Sequence, residues 1–249
     1  MHYKVKEEQK DIVAKLINQY YKDIDGINGE DFKVTKRTFF KSLIPLLDKI
    51  VEPEFKVLYS ACGIKKEIPN SCYVGPNVLI ERGVVLGENI IFEGNNYIHS
   101  GTTIGDNVLI QANTVIGGEG YSHEYIEDEL IHLPHIGGVI IEANVTIGSC
   151  VCIDKGLLAY TILKEGCRID NLVHIAHDVY IGRNAFIVAC SMLGGRAVLE
   201  GGCWIAPNSS IKNGIKIGHN ALVGMHSCVL KNVGNGKVVY GVPAKEKDA

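Results

Sequence analysis

The stretch from Leu163 to Val198 reads LKEGCR-IDNLVH-IAHDVY-IGRNAF-IVACSM-LGGRAV, six consecutive blocks of six residues that each begin with Leu or Ile. The same spacing continues to Val229, so that twelve aliphatic residues recur at every sixth position without a break. An earlier series with this period occupies positions 74–116, and a short one occupies positions 141–153. A period of six matches neither an amphipathic helix nor the alternation of a half-buried strand. It indicates a repeat architecture.

A period of six is typical of a left-handed parallel β-helix of hexapeptide repeats, an all-β fold in which three short strands and three corners make one coil of about eighteen residues. The aliphatic residue of each block is predicted to point into the column. The residue four places later is predicted to do the same, as at Val78, Val108, Val145 and Val179. Steps such as Gly87-Glu88-Asn89 suit the corners, because Gly and Asn tolerate left-handed backbone conformations. Each coil then bonds only to its neighbours, and stability accumulates along the stack.

The breaks in this pattern divide the chain. Residues 66–234 are assigned to the β-helix, with a projecting loop at 117–140 where the period is interrupted, and 235–249 to a C-terminal tail. Residues 1–65 lack the repeat and are predicted to form a small helical or mixed segment, because their apolar residues have helical spacing. These residues are Ile12, Leu16, Ile17, Tyr20, Phe39, Leu43, Leu46, Leu47 and Ile50.

Composition excludes several classes of protein. A formal charge of −3 and a pI near 6.3 argue against a nucleic-acid or membrane surface built on bulk charge. The first twenty residues are charged and periodic, unlike a secretory leader, and no apolar run reaches membrane-spanning length. The eight cysteines include no CxxC pair and are expected to be buried thiols in a reducing compartment. We therefore expect a cytoplasmic protein without stable membrane insertion.

The segment from Ile169 to Gly182, IDNLVHIAHDVYIG, carries the most specific motif. It closely resembles the IDN…IAHNV.IG segment of the lipid A pathway N-acyltransferases, which acylate the 2-amino group of a UDP-glucosamine derivative, and the similarity covers roughly residues 116–235. The resemblance implies that His177 is the general base. The His177-Asp178 step is also similar to a His-Asp or His-Glu step in bacterial nucleotide-sugar N-acetyltransferases.

The chemistry of amide formation supports this role for His177. An amine that attacks a thioester must lose a proton, and an imidazole with a pKa of about 6.5 can remove one at neutral pH. A neutral imidazole needs a partner for its second nitrogen, which Asp178 or Asp170 could supply. Gly195 lies eighteen residues beyond His177 and so one coil further along. The resemblance implies that its backbone N–H stabilises the thioester oxyanion.

The same resemblance assigns Asp170, Asn171 and His174 to substrate binding. His174 stands where the lipid A enzymes usually have Gln. A further histidine of some of those enzymes is absent, because the matching step reads Asn213-Gly214-Ile215. Their substrate contacts therefore cannot be transferred as a set.

The sequence GKVVYGVPAK, Gly236 to Lys245, resembles the closing V.GVPAK of nucleotide-sugar acetyltransferases that use acyl-CoA. By this resemblance Lys231 and Lys245 are candidates for binding CoA phosphates, where a lysine acts as a point charge. The larger N-terminal domain and the helical C-terminal extension of the lipid A enzymes are not recognisable at full length. These features favour acyl-CoA as co-substrate, a nucleotide-linked amino sugar as acceptor, and a homotrimer with sites between copies, with no permanently bound cofactor.

Three alternatives stay open. The first is a lipid A pathway UDP-3-O-(3-hydroxyacyl)glucosamine N-acyltransferase that uses acyl carrier protein. The second is a zinc-dependent lyase like the γ-type carbonic anhydrases, which use a pair of histidines five residues apart; the nine histidines here contain no such pair, and no metal site is predicted. The third is a non-catalytic scaffold, because a fold can persist without its chemistry.

Overall fold

The computed structural model describes residues 2–24, 29–50, 55–58, 68–126 and 128–246. The chain divides into two compact units. One unit comprises Met1–Pro53 and Glu119–Ile136, and the other comprises Glu54–Gly118 and Gly137–Ala249. The predicted boundary at 65–66 lies outside the described residues.

The second unit is a three-sided parallel β-helix, which confirms the predicted fold class. The first face contains Tyr73–Val74, Ile91–Phe92, Leu109–Ile110, Thr146–Ile147, Arg168–Ile169, Phe186–Ile187, Trp204–Ile205, Leu222–Val223, Val238–Tyr240 and Lys245–Glu246. The second face contains Phe55–Leu58, Leu79–Glu81, Tyr97–Ile98, Val115–Gly118, Cys152–Asp154, His174–Ile175, Met192–Leu193, Ser210–Ile211 and Cys228–Val229. The third face contains Val85–Leu86, Thr102–Ile104, Gly138–Ile141, Tyr160–Leu163, Tyr180–Ile181, Val198–Leu199 and Lys216–Ile217.

Each short strand directs the aliphatic residue of its block into the column. Ile175 pairs in parallel with Ile153 on one side and Leu193 on the other, and all three side chains are buried. The four valines predicted to point inward are buried as well. Burying one such side chain stabilises the fold by roughly 1.5–3 kcal/mol. The period of six therefore builds one continuous apolar column whose stability grows with every coil.

Asparagines stabilise the corners. Asn77, Asn89 and Asn107 have φ values of 55°, 56° and 56°, in the left-handed region that Asn tolerates. Their side chains form ladders between coils: Asn89 Nδ2 donates to Asn107 Oδ1 at 3.2 Å, and Asn77 Nδ2 donates to Asn95 Oδ1 at 3.0 Å. The repeated asparagines thus adopt the left-handed backbone of the corners, and their side-chain amides bond to one another between coils.

The C-terminal segment departs from the expected tail. Val238–Tyr240 pairs in parallel with Leu222–Val223, and Lys245–Glu246 folds back antiparallel to it. The sheet therefore continues after the period of six has ended at Val229. Pairing needs only the backbone and an inward-facing Val239, which is buried.

The first unit contains two helices, α1 (Lys10–Asp23) and α2 (Gly29–Leu43), and the 3-10 turns Glu7–Gln9 and Ile44–Leu46. Strands His2–Val5 and Leu47–Ile50 pair antiparallel. Its remaining part, inside the predicted projecting loop, is an antiparallel hairpin of His123–Ile126 and Glu129–His132. No helix in the described ranges combines the length and the apolar character needed to cross a bilayer.

The seven cysteines within the described ranges are all free. Cys72, Cys167 and Cys203 are buried, and burial raises the pKa of the Cys203 thiol to about 12. Three others, Cys150, Cys152 and Cys190, are exposed. The expectation of buried thiols is therefore wrong for these three, because the corners and the outward strand positions do not face the column.

Candidate active site at one corner of the coil

His177 and Gly195 occupy the same corner of the coil, between the second and third faces. His177 lies between the strands His174–Ile175 and Tyr180–Ile181. Gly195 lies one coil further, between Met192–Leu193 and Val198–Leu199. The backbone joins the two positions, because Arg196 N donates to His177 O at 2.9 Å. The eighteen-residue spacing thus brings together the two residues that the sequence predicted as base and oxyanion donor.

Asp178 orients the imidazole of His177. His177 Nδ1 lies 2.8 Å from Asp178 Oδ2, and each side chain is 17% exposed. The φ of Asp178 is 59°, a left-handed conformation that turns its carboxylate back onto the preceding histidine. Because Nδ1–H donates to the carboxylate, Nε2 is the nitrogen that accepts a proton. Of the two partners considered from sequence, the structure selects Asp178.

The carboxylate of Asp178 is itself held by the adjacent coil. Its Oδ1 accepts a hydrogen bond from Leu157 N at 3.0 Å, and its backbone N–H donates to Thr161 Oγ1 at 3.0 Å. Thr161 is fully buried. Sequence analysis missed Leu157 and Thr161, because four extra residues between Ile153 and Leu163 shift the register at this corner. The charge that orients the base is therefore fixed before any substrate arrives.

Gly195 leaves room for the imidazole ring. A Cβ atom at this position would lie 2.7 Å from His177 Nε2 and 2.9 Å from Cε1, closer than real Cβ contacts. The flanking amides bond to neighbouring coils, Gly194 N to Ile211 O and Arg196 N to His177 O, both at 2.9 Å. The Gly195 N–H stands between these two amides in the chain and is the donor in neither bond. Glycine at this position thus lets the proton-accepting side of the imidazole ring pack closely against the Gly195 backbone.

Asp170 and Asn171 lie on a different corner, between the first and second faces. Asp170 Oδ1 accepts from Asn171 N at 2.7 Å, and Oδ2 accepts from Ala189 N at 3.2 Å. Asn171 Oδ1 accepts from Ser149 N at 2.7 Å. Within one copy these side chains brace the turn, and the structure does not bring them to His177.

His174 faces outward from the second face, three residues before His177. Its side chain is 44% exposed, and its Nε2 lies 3.7 Å from Asp154 Oδ2. Partial burial lowers the pKa of His174, so the neutral ring is favoured. Asp154 was not identified from sequence, because the register shift that follows Ile153 hides its position one coil from His174.

The two predicted phosphate-binding lysines are both exposed at the C-terminal end of the coil. Lys231 follows the last strand of the second face, Cys228–Val229, and precedes the bridge from Val233 to Ile217 on the third face. It therefore lies on the corner that carries His177, three coils further along. Lys245 lies opposite Tyr240 in the terminal hairpin of the first face. The structure places the lysines at one end of the coil but on different sides.

Comparisons with known proteins agree with this fold. Residues 160–195 match the family model described as bacterial transferase hexapeptide (six repeats). Three proteins named UDP-3-O-acylglucosamine N-acyltransferase are similar. The protein of Caulobacter sp. is 34% identical, and the match covers 53% of this chain and 39% of the relative. The protein of Legionella pneumophila strain Paris is 38% identical, and the match covers 60% of this chain and 49% of the relative. That of Wolinella succinogenes is 34% identical over 70% and 50%. The chain thus spans half the length or less of these relatives.

Solved structures show the same coil. The UDP-N-acetylglucosamine acyltransferase of Francisella novicida superimposes with a TM-score of 0.65 at 24% identity, covering 72% of this chain and 64% of its own. Another UDP-N-acetylglucosamine acyltransferase superimposes with a TM-score of 0.66 at 21% identity, covering 71% of this chain and 67% of its own. At these identities the likeness shows the fold alone. With the family match over residues 160–195, the solved structures and the period of six in agreement, this chain is built as a left-handed parallel β-helix of six-residue repeats.

Proposed function

We propose that this chain is an N-acyltransferase that moves an acyl group from acyl-CoA to the amino group of a nucleotide-linked amino sugar, with His177 as general base. The observation that carries the proposal is the His177–Asp178 pair at 2.8 Å, with Nε2 directed at Gly195. An oriented imidazole beside a backbone N–H is the arrangement that acyl transfer requires. His177 and Asp178 are each partly exposed at this corner of the coil, whereas Gly195 is buried beneath the ring.

In this reaction the sugar amine attacks the thioester carbonyl carbon, and its proton passes to His177 Nε2. Asp178 stabilises the resulting imidazolium through Nδ1–H. The carbonyl oxygen becomes an oxyanion, which the Gly195 N–H stabilises. When the C–S bond breaks, the amide forms and the thiolate of CoA takes up the proton. No covalent acyl-enzyme is needed.

The acceptor class is proposed from the relatives, three of which carry the name UDP-3-O-acylglucosamine N-acyltransferase. The family model that this chain matches covers the His177 segment, residues 160–195. The donor is proposed from the lysines. Lys231 lies on the His177 corner three coils away, so a donor lying along this corner would bring an extended anionic end near it.

The test is product formation with a panel of amino-sugar nucleotides and acyl-CoA, followed by mass spectrometry of the N-acylated sugar. His177→Ala should lower kcat/KM by about 10²-fold or more, because the general base is lost. His219→Ala, which removes an exposed histidine at another corner, is the matched control and should keep native activity. Equal activity of the native chain and His177→Ala would exclude His177 as the base.

A second candidate uses the same site with another donor. The names of the relatives favour a lipid A pathway UDP-3-O-(3-hydroxyacyl)glucosamine N-acyltransferase, for which acyl carrier protein is the alternative donor. Presenting one acyl chain on CoA and on carrier protein separates the two. A kcat/KM at least tenfold higher with carrier protein would reject our choice of donor.

The proposal includes a homotrimer, which the family resemblance implies. Phe186 stacks on Trp204 with ring centroids 5.0 Å apart, and the rings are 40% and 42% exposed on the first face. A neighbouring copy would bury this apolar surface. Light scattering should give a mass of three chains, and a monomer mass would contradict the trimer.

A further inference from the structure

The hairpin unit contains a group of side chains suited to hold a metal ion. Glu119, His132 and His135 each offer one ligand atom, and these atoms all lie within 4.8 Å of one another. Glu119 stands where the chain leaves the coil, whereas His132 and His135 stand on the returning side of the hairpin. We propose that this group binds one zinc ion, which fastens the two ends of the hairpin together.

The spacing of the ligands is compatible with tetrahedral coordination. Two atoms bound to one zinc at about 2.0–2.1 Å lie about 3.3 Å apart at the tetrahedral angle. His135 Nδ1 and Glu119 Oε2 are 3.2 Å apart. A nitrogen of His132 would be the third protein ligand after a small adjustment of its ring. Two imidazoles and a carboxylate are a ligand set that zinc accepts, with a fourth position for water.

The rings of both histidines are already oriented by contacts of their other atoms. His132 Nε2 lies 3.2 Å from the carbonyl oxygen of Gly120, and His135 Nε2 lies 3.4 Å from Ser122 Oγ. Such outer contacts fix the rings of metal-binding histidines. Gly120 makes the close packing possible, because a Cβ there would lie 2.5 Å from His135 Nε2.

Burial distinguishes this group from a solvated surface cluster. His135 is fully buried, and Glu119 is 12% exposed. His135 Nδ1 also lies 3.1 Å from Leu133 O, and a metal ion bound at this nitrogen would displace that contact. The prediction of no metal from sequence rested on a five-residue spacing of histidines, whereas this group combines a three-residue spacing with a distant carboxylate.

The test begins with chain freed of metal by chelation. Zinc is added, unbound ion is removed by gel filtration, and the zinc content is measured; Co²⁺ serves as a spectroscopic probe of ligand type. The native chain and the control His219→Ala should retain one ion per chain. Glu119→Gln and His132→Ala should weaken binding on the order of tenfold to a hundredfold or more. Gln at position 119 has the size of Glu and can still accept the hydrogen bond that His135 N donates to Glu119 Oε2 at 3.1 Å. Glu119→Gln therefore tests metal binding even where His132→Ala fails to fold.

A measurement on the unmodified chain needs no variant at all. Zinc should slow amide hydrogen exchange in residues 119–135 and leave the coil unchanged. Zinc retention no greater in the native chain than in Glu119→Gln would overturn the proposal. So would unchanged exchange in the hairpin, or Co²⁺ spectra with thiolate charge-transfer bands, since these would place the ion on the exposed cysteines.

Discussion

Replacing Gly195 by alanine tests the geometry of the proposed site most directly. The new Cβ would lie 2.7 Å from His177 Nε2, whereas ordinary van der Waals contact begins at 3.4 Å. The imidazole must therefore retreat by about 0.7 Å, and misplacement of about 1 Å at a reacting centre costs on the order of 10²-fold in rate. We expect Gly195→Ala to lower kcat/KM by about 10²-fold, equivalent to about 2.7 kcal/mol of transition-state stabilisation.

The matched control is Gly201→Ala. Gly201 also sits at a corner against a histidine, but its Cβ would lie 3.4 Å and 3.5 Å from atoms of the His219 ring, and 3.1 Å from Arg183 O. Overpacking typically costs about 1–3 kcal/mol of stability, so both variants should fold. Circular dichroism and thermal unfolding check this. Only Gly195→Ala should lose activity.

The assay quantifies the N-acylated sugar nucleotide by mass spectrometry, because thiol reagents would also react with the exposed Cys150, Cys152 and Cys190. Adding Gly195→Ala to His177→Ala should cost little further activity, since the ring that is displaced has already been removed. Activity of a folded Gly195→Ala within threefold of native would refute the reasoning. So would costs of the two changes that simply add.

Two further changes test the electrostatics of the coil. Asp178→Asn keeps the left-handed backbone, which Asn tolerates, but removes the anion that stabilises the His177 imidazolium. We therefore expect kcat to fall by about 10²-fold or more while KM changes little. An unchanged kcat would show that the carboxylate is only structural. Burial alone would raise the pKa of Glu81, but hydrogen bonds from His99 and from Ser100 N outweigh it and hold that pKa at about 2, against 4.5 for an ordinary Glu. Because the folded pKa is lowered, the ionised carboxylate stabilises the fold above pH 4.5 by about 3 kcal/mol, and this contribution is lost as the pH falls toward 2. Urea unfolding should therefore show native chain losing more stability than Glu81→Gln between these pH values, and parallel losses would contradict this.

Most of the fold could be predicted from the period of six. It predicted which side of each strand is buried, as at Ile175 and Val179, because in a repeat every coil presents the same environment. It also predicted the corner position of Asn89, whose backbone is left-handed. The same regularity placed Gly195 over His177, since eighteen residues return the chain to the same corner.

The contacts that could not be predicted lie where the period of six is interrupted. Leu157 is 21 residues from Asp178, and no period of six predicts that its amide meets this carboxylate. Glu119 and the hairpin strand that ends at His132 lie where the period of six is interrupted. The pairing of the hairpin depends on backbone hydrogen bonds, which leave no repeat in the sequence. Substrate binding by Asp170 and Asn171 stays a prediction, because their side chains are engaged in the turn.

Both ends of the β-helix carry a strand that runs against the direction of the rest. Phe55–Leu58 lies antiparallel to Leu79–Glu81 at the start of the second face, and Lys245–Glu246 lies antiparallel to Val238–Tyr240 at the end of the first face. A stack of parallel coils offers unpaired amides at each terminus, which invite another molecule to add on and propagate a fibre. At these two positions the reversed strand interrupts the parallel register that a further coil would need in order to pair there.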